Sequence, residues 1–195
     1  MKFAHSESAT PIDPDDAQAL IPTHITTQRE LNEWESQNIQ RAVTWAVSRK
    51  RTDILTAGFV VELHKRMFDQ TWEWAGTYRR SDKNIGVPWE QVAVEVHKIL
   101  RDAGYWLASS KWSVRESAIR LHHRMVVTHP FVNGNGRHAR LLADVLLHNH
   151  DLPSINWGGS ALDSPGEARS DYLWALRAAD TGDYAPLLSY ASPAA

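Results

Sequence analysis

One run of twelve residues carries the chemistry this sequence offers: His129-Pro130-Phe131-Val132-Asn133-Gly134-Asn135-Gly136-Arg137-His138-Ala139-Arg140. Gly134 and Gly136 let the backbone turn tightly and approach a ligand closely. Helical periodicity resumes just after them, so the loop leads into the first turn of a helix. Amides there lack intrahelical acceptors, and the helix dipole favours an anion. Arg137 and Arg140, three residues apart, share a face of that helix, and each guanidinium matches a pair of phosphate oxygens. His129 precedes the loop, and an imidazole has the right intrinsic pKa for proton transfer near neutrality. Together these residues describe a phosphate cradle with a base beside it. Gly-Asn-Gly alone is no more than a tight turn between helices; the arginines, the histidine and the proline-fixed entry turn the reading toward an anion site. It is not a Walker loop, because no Gly-Lys-Ser/Thr follows, nor a dinucleotide fingerprint, because the preceding element reads as helix.

The remaining candidates are weaker. His122, His123 and His138 surround the motif, but no acidic residue stands at ligand spacing from them, so they read as core histidines rather than a zinc site. Asp144, four residues after Arg140, is placed to orient that arginine. The chain has no cysteine, which excludes thiol nucleophiles, disulfides and Cys-ligated zinc. With 21 basic against 23 acidic side chains, it lacks the basic excess of a nucleic-acid surface. The start of the chain has no apolar run of signal-peptide type. No stretch approaches the roughly 20 apolar residues of a membrane span, so the expected address is the cytoplasm, away from membrane and nucleic acid.

Several elements must position the cradle. Thr27 with Glu30 forms a capping box that opens a helix to about residue 49. A second helix is expected over 54–68 with Phe59, Val60, Leu63 and Met67 on one side, and a third over 89–108 with Val92, Val96, Ile99, Ala103 and Leu107. Ser113 caps a fourth, which stops before Pro130. The fifth, 137–148, packs through Leu141, Leu142, Val145 and Leu146. A box at Ser164-Pro165-Gly166-Glu167 starts a sixth, to about 179, and a short helical turn is expected at 184–188. Residues 76–88, bracketed by Gly76 and Gly86, lack helical periodicity and read as a hairpin or flap. The nine tryptophans read mainly as core anchors. The fold class is therefore all-α: a helical bundle with a small β-hairpin flap, comprising an extended arm over 1–26, one domain over 27–188 and a tail over 189–195.

The twelve-residue run resembles the signature of the Fic domain family: His, any, Phe, any, Asp or Glu, Gly, Asn, Gly, Arg, any, any, Arg. Seven of its eight fixed positions are met. The runs Trp74-Ala75-Gly76-Thr77-Tyr78-Arg79 and Ser81-Asp82-Lys83-Asn84-Ile85-Gly86 are similar to the subgroup called mobile mystery protein B. The resemblance implies a protein adenylyltransferase, which moves AMP from ATP to a hydroxyl of a target protein, with ATP and Mg²⁺ as cofactors. It implies His129 as general base and Phe131 as the pin of the loop. It implies that Asn135 and the amides of Gly134, Gly136 and Arg137 hold the α-phosphate, and that Arg137 and Arg140 hold the outer phosphates. Residues 76–88 would bind an extended target segment by strand addition. The departure is Asn133, where the family has the acid that binds Mg²⁺; an amide oxygen is a weak, uncharged substitute. That departure keeps two alternatives open: another phosphate-group transfer, or a non-catalytic nucleotide- or peptide-binding module with an antitoxin-like partner. The family's inhibitory glutamate, which pairs with the second motif arginine, has two imperfect counterparts here, Glu30 and Glu35.

Overall fold

The computed structural model describes residues 14–162 and 166–191. Its helices are α1 (Pro14–Ala17), α2 (Gln28–Val47), α3 (Ala57–Phe68), α4 (Val92–Ala108), α5 (Val114–Thr128), α6 (Asn135–Asn149), α7 (Glu167–Asp180) and α8 (Ala185–Tyr190). Local chemistry sets several boundaries. The Thr27 hydroxyl accepts from the Glu30 amide, and the Glu30 carboxylate accepts back from the Thr27 amide, so the box expected at α2 is complete. At α3 the Thr56 hydroxyl accepts the Phe59 amide, a single-bond cap. At α5 the box is half made: Ser113 accepts from the Glu116 amide, but the Glu116 side chain turns to Arg120. One shallow helical turn, α1, falls inside the stretch expected to be extended. The residues proposed as caps at 164 and 165, the arm's residues 1–13 and the tail's 192–195 lie outside the described residues.

α6 is the centre of the bundle, packed against α5, α3 and α2; α2 also lies along α3, α4 along α5, and α7 along α8. The anticipated apolar stripes face inward. Phe59, Val60, Leu63 and Met67 of α3, Val92, Val96, Ile99 and Ala103 of α4, and Leu142, Val145 and Leu146 of α6 are all buried. Trp72 is buried and stacks on Trp74 at 5.1 Å, while the Trp34 indole donates to the Gln70 carbonyl at 2.9 Å. Tryptophans thus tie the end of α3 to α2. Among the described residues, no helix is long and apolar enough to cross a membrane.

The expected β-hairpin over 76–88 is not formed. Among the described residues there is no β-strand, only two isolated bridges, Leu20 with Trp72 and Tyr78 with Phe131. The reason is a side chain. A hairpin needs facing rows of backbone donors and acceptors. Here the Arg79 guanidinium takes the carbonyls instead: Nε donates to His129 O at 2.7 Å, Nη1 to Ser81 O at 3.0 Å, and Nη2 to Val87 O. The segment therefore wraps round one buried arginine. The fold is an all-α bundle with an arginine-centred loop.

Candidate active site

The loop between α5 and α6 builds itself from short-range bonds. His129 ends α5 in the left-handed conformation, φ 52°, with its amide bonded to Met125 O at 3.1 Å. That conformation costs a non-glycine residue about 1–2 kcal/mol, so the residues after His129 must hold the turn. Phe131 is fully buried. Asn135 braces it from inside: its Oδ1 accepts the Phe131 amide and its Nδ2 donates to the Phe131 carbonyl, both at 2.9 Å. The Asn135 side chain, expected at a phosphate, is thus turned inward and 3% exposed. Gly134 is the α6 N-cap with φ 75°, and a Cβ there would fall 2.5 Å from the Phe68 ring. Only glycine meets both demands. No side chain caps this helix start, which leaves its terminal amides to the loop's mouth.

Two histidines hold the loop from below. His64 of α3 stacks on Phe131 at 3.7 Å. It accepts the Gly76 amide at Nδ1 (3.0 Å), so its Nε2 carries the proton and donates to the Asn133 carbonyl (3.1 Å). His138 bonds the Val60 carbonyl at 3.0 Å. Burial drives both below the ordinary imidazole value, His138 to about 4. His129 is 5% exposed and also falls to about 4, chiefly through burial and next through the nearby Arg79 charge; Lys83 adds to this. It is neutral at pH 7 and able to accept a proton.

Arg137 and Arg140 leave α6 in different directions. Arg137 Nη1 meets Glu35 Oε2 of α2 at 2.6 Å, its Nη2 lies 3.5 Å from Asn133 Oδ1, and the guanidinium sits 4.9 Å from the centre of the Phe68 ring. Arg140 lies over the Tyr172 ring at 5.8 Å. Asp144, expected to orient Arg140, gives its carboxylate to the Ile155 amide and the Trp157 indole, and burial raises it to about 6. His122 meets the Tyr172 hydroxyl, and His123 bridges Tyr184 and Asp180. Glu30 is spent on the α2 cap, bonded to Thr26 and Thr27.

Asn133 offers a metal at most a neutral oxygen, and that Oδ1 already accepts the Gly134 amide at 2.6 Å while facing the Arg137 cation. Among the described residues, no group of three metal-ligating side chains exists. These donors do not fit a protein-held Mg²⁺.

The segment 76–88 closes against the loop. Arg79 is 2% exposed, its amide donates to Pro130 O at 3.0 Å, and a Cβ on Gly86 would fall 2.8 Å from that of His129. The Lys83 side chain is 4% exposed and paired with Asp16 of α1 at 2.7 Å. Sequence reasoning singled out neither Arg79 nor His64. The only available signals were an arginine in a loop between glycines and a histidine on the apolar face of α3.

Residues 54–147 match the Fic/DOC family. The chain carries a Fic/DOC-family domain. Protein adenylyltransferase fic-1 of Caenorhabditis elegans is 28% identical over 155 residues, 77% of this chain and 29% of that protein. The chain spans between a quarter and a third of the length of the curated relatives it matches. In three dimensions it is similar to a structure of C. elegans Fic-1, with TM-score 0.67, 23% identity, and coverage of 89% of this chain and 51% of the other. BepC of Bartonella tribocorum, solved with bound AMPPNP, gives TM-score 0.64 at 15% identity and covers 90% and 94%. These similarities establish the bundle as a Fic fold.

Proposed function

We propose that the domain binds ATP at the start of α6 and transfers AMP to a hydroxyl of a target protein, with His129 as the base. The observation that carries this is the joining of three features in one loop: a glycine-capped helix start without a side-chain cap, a buried neutral imidazole before it, and Arg137 and Arg140 in the first turns after it. The terminal amides of α6 and the arginines would hold the phosphates. His129 would take the hydroxyl proton as the oxygen attacks the α-phosphorus and pyrophosphate leaves. A polyphosphate beside His129 favours the charged imidazolium, so nucleotide binding itself would raise a value near 4 toward neutrality. Adenylyltransferase relatives and nucleotide-bound structures of the fold support the reading.

The target would lie extended along residues 76–88, which border His129, without strand pairing to a hairpin. The Trp74–Arg79 and Ser81–Gly86 runs remain the basis of the finer resemblance to mobile mystery protein B. Asn133 favours a second reading, a module that binds nucleotide or peptide without transfer, because its oxygen is uncharged and engaged.

His129→Ala decides between them. Labelled ATP is incubated with the chain and lysate, and nucleotide affinity is measured by calorimetry. The expected outcome is loss of labelling by about 10²–10⁴-fold with affinity nearly unchanged, because a base acts in the transition state. Equal labelling by H129A and wild type overturns the role of His129. Binding with no labelling by wild type favours the second reading.

A further inference from the structure

Arg140 is held without a carboxylate. Among the described residues it makes no ion pair, and Asp144, one turn further along α6, is engaged with Ile155 and Trp157. The half-buried guanidinium turns back toward the start of α6, where Nη1 lies 3.6 Å from the place a Cβ on Gly136 would take. On its other side it meets α7, 5.8 Å from the centre of the Tyr172 ring. Burial raises the Tyr172 hydroxyl above its ordinary value, and the Arg140 charge and a hydrogen bond from Arg140 work against that rise. The same hydroxyl lies 3.0 Å from Nε2 of His122 in α5, and both side chains are buried.

We infer that Tyr172 is a positioning residue: its hydroxyl, backed by His122, aims the uncompensated charge of Arg140 at the outer phosphates of a nucleotide; the phosphate half of this inference rests on the proposed function. A guanidinium only donates, so a phenol set between it and an imidazole accepts from the arginine and gives its own proton to the ring. His122 can take that bond, because burial, and next the Arg140 charge, hold the imidazole well below its ordinary value and so neutral at pH 7. The ring is fixed in its turn. It packs 4.4 Å from Trp157, whose indole bonds Asp144 and whose carbonyl accepts the Tyr190 hydroxyl at 3.0 Å. A carboxylate partner would cancel much of the arginine's field, whereas a phenol orients the fork and leaves its charge for a polyanion. Fixing a long side chain costs entropy, and a guanidinium already fixed binds its phosphate without that loss. Tyr172 lies outside the residues 54–147 that match the family, so α7 adds to the site a side chain that the motif does not contain.

The test uses Y172F, which keeps the ring and removes the hydroxyl, H122L, which removes the acceptor behind it, and the double variant. ATP and AMP are each titrated by calorimetry. Either single variant should bind ATP about tenfold more weakly, the scale of one hydrogen bond to a charged group, with AMP affinity unchanged. The double variant should lose no more than either single one, because the two groups act as one relay. A merely structural Tyr172 would weaken ATP and AMP alike. Without nucleotide, NMR of the Arg140 Nε–H, assigned through R140K, should show slow exchange with solvent in wild type and fast exchange in Y172F. The inference is overturned if Y172F binds ATP as tightly as wild type, if ATP and AMP weaken by the same factor, or if Arg140 exchange is unchanged. Should H122L fail to fold, Y172F decides alone through the ATP–AMP difference. If wild type binds no nucleotide, the proposed function fails, while the exchange of Arg140 still decides whether Tyr172 holds it.

Discussion

The α5–α6 loop and the segment 76–88 face each other across His129, yet they are held by opposite means. The loop is braced by neighbours in sequence: Asn135 bonds Phe131 twice, Gly134 turns where no Cβ fits, and Asn133 bonds the next amide. The segment is held from a distance, by one arginine that reaches the carbonyls of Ser81, Val87, Thr128 and His129. Conformation written in short-range bonds survives in the sequence as a motif. Conformation hung on one long side chain leaves a polar, glycine-bracketed stretch that also suits a hairpin.

Breaking the segment's buried arginine should have the largest effect. Arg79→Met keeps the buried stem and removes the donors, stranding several carbonyls, so a loss of about 3 kcal/mol or more is expected in urea unfolding. Hydrogen exchange should rise first across 78–88. Equal exposure of the loop and the segment would show that the two form one unit.

The loop should lose less from its own brace. Asn135→Ala leaves the buried Phe131 amide without its acceptor, at about 2 kcal/mol. Exchange should rise at 131–136 while 78–88 stays protected. A loss as large as that of Arg79→Met would contradict the contrast.

The smallest effect per group is titration, and it sharpens the comparison because the buried histidines cluster under the loop. His64, His129 and His138 sit below the unfolded imidazole value of about 6.5. For groups depressed on folding, the unfolded chain binds more protons, so their stability is complete above about pH 6.5 and is lost as pH falls toward the folded values, about 4 for His129 and His138. Each should give up about 1 kcal/mol by roughly one unit below 6.5. Urea stability should fall between about pH 7.5 and 5.5, with the loop opening before the segment. A flat profile would place these imidazoles in water.

Much of the bundle was legible because helices announce themselves locally. Thr27 with Glu30, the inward stripes of α3, α4 and α6, and the proline-marked end of α5 each need only residues a few positions apart. The turn at Gly134 that opens α6 was legible for the same reason. Partner choice was not. Arg140 and Asp144 have the spacing of a pair, yet the carboxylate goes to Trp157 and Ile155. Asn135, expected at the phosphate, pairs its side-chain amide with the backbone of Phe131. Glu35 looked like a candidate inhibitor of the second motif arginine and sits on Arg137.

By itself the sequence determined the helices, the turn at Gly134 and the residue types gathered round it, since backbone hydrogen bonds and periodicity act over a few residues. Only the tertiary structure decided where each charge is spent. Glu35 and Arg137 meet across 102 positions because α2 and α6 pack together, and Arg79 folds a loop because α5 ends beside it. A buried charge takes the partner that packing brings within reach, and spacing along the chain does not record that distance.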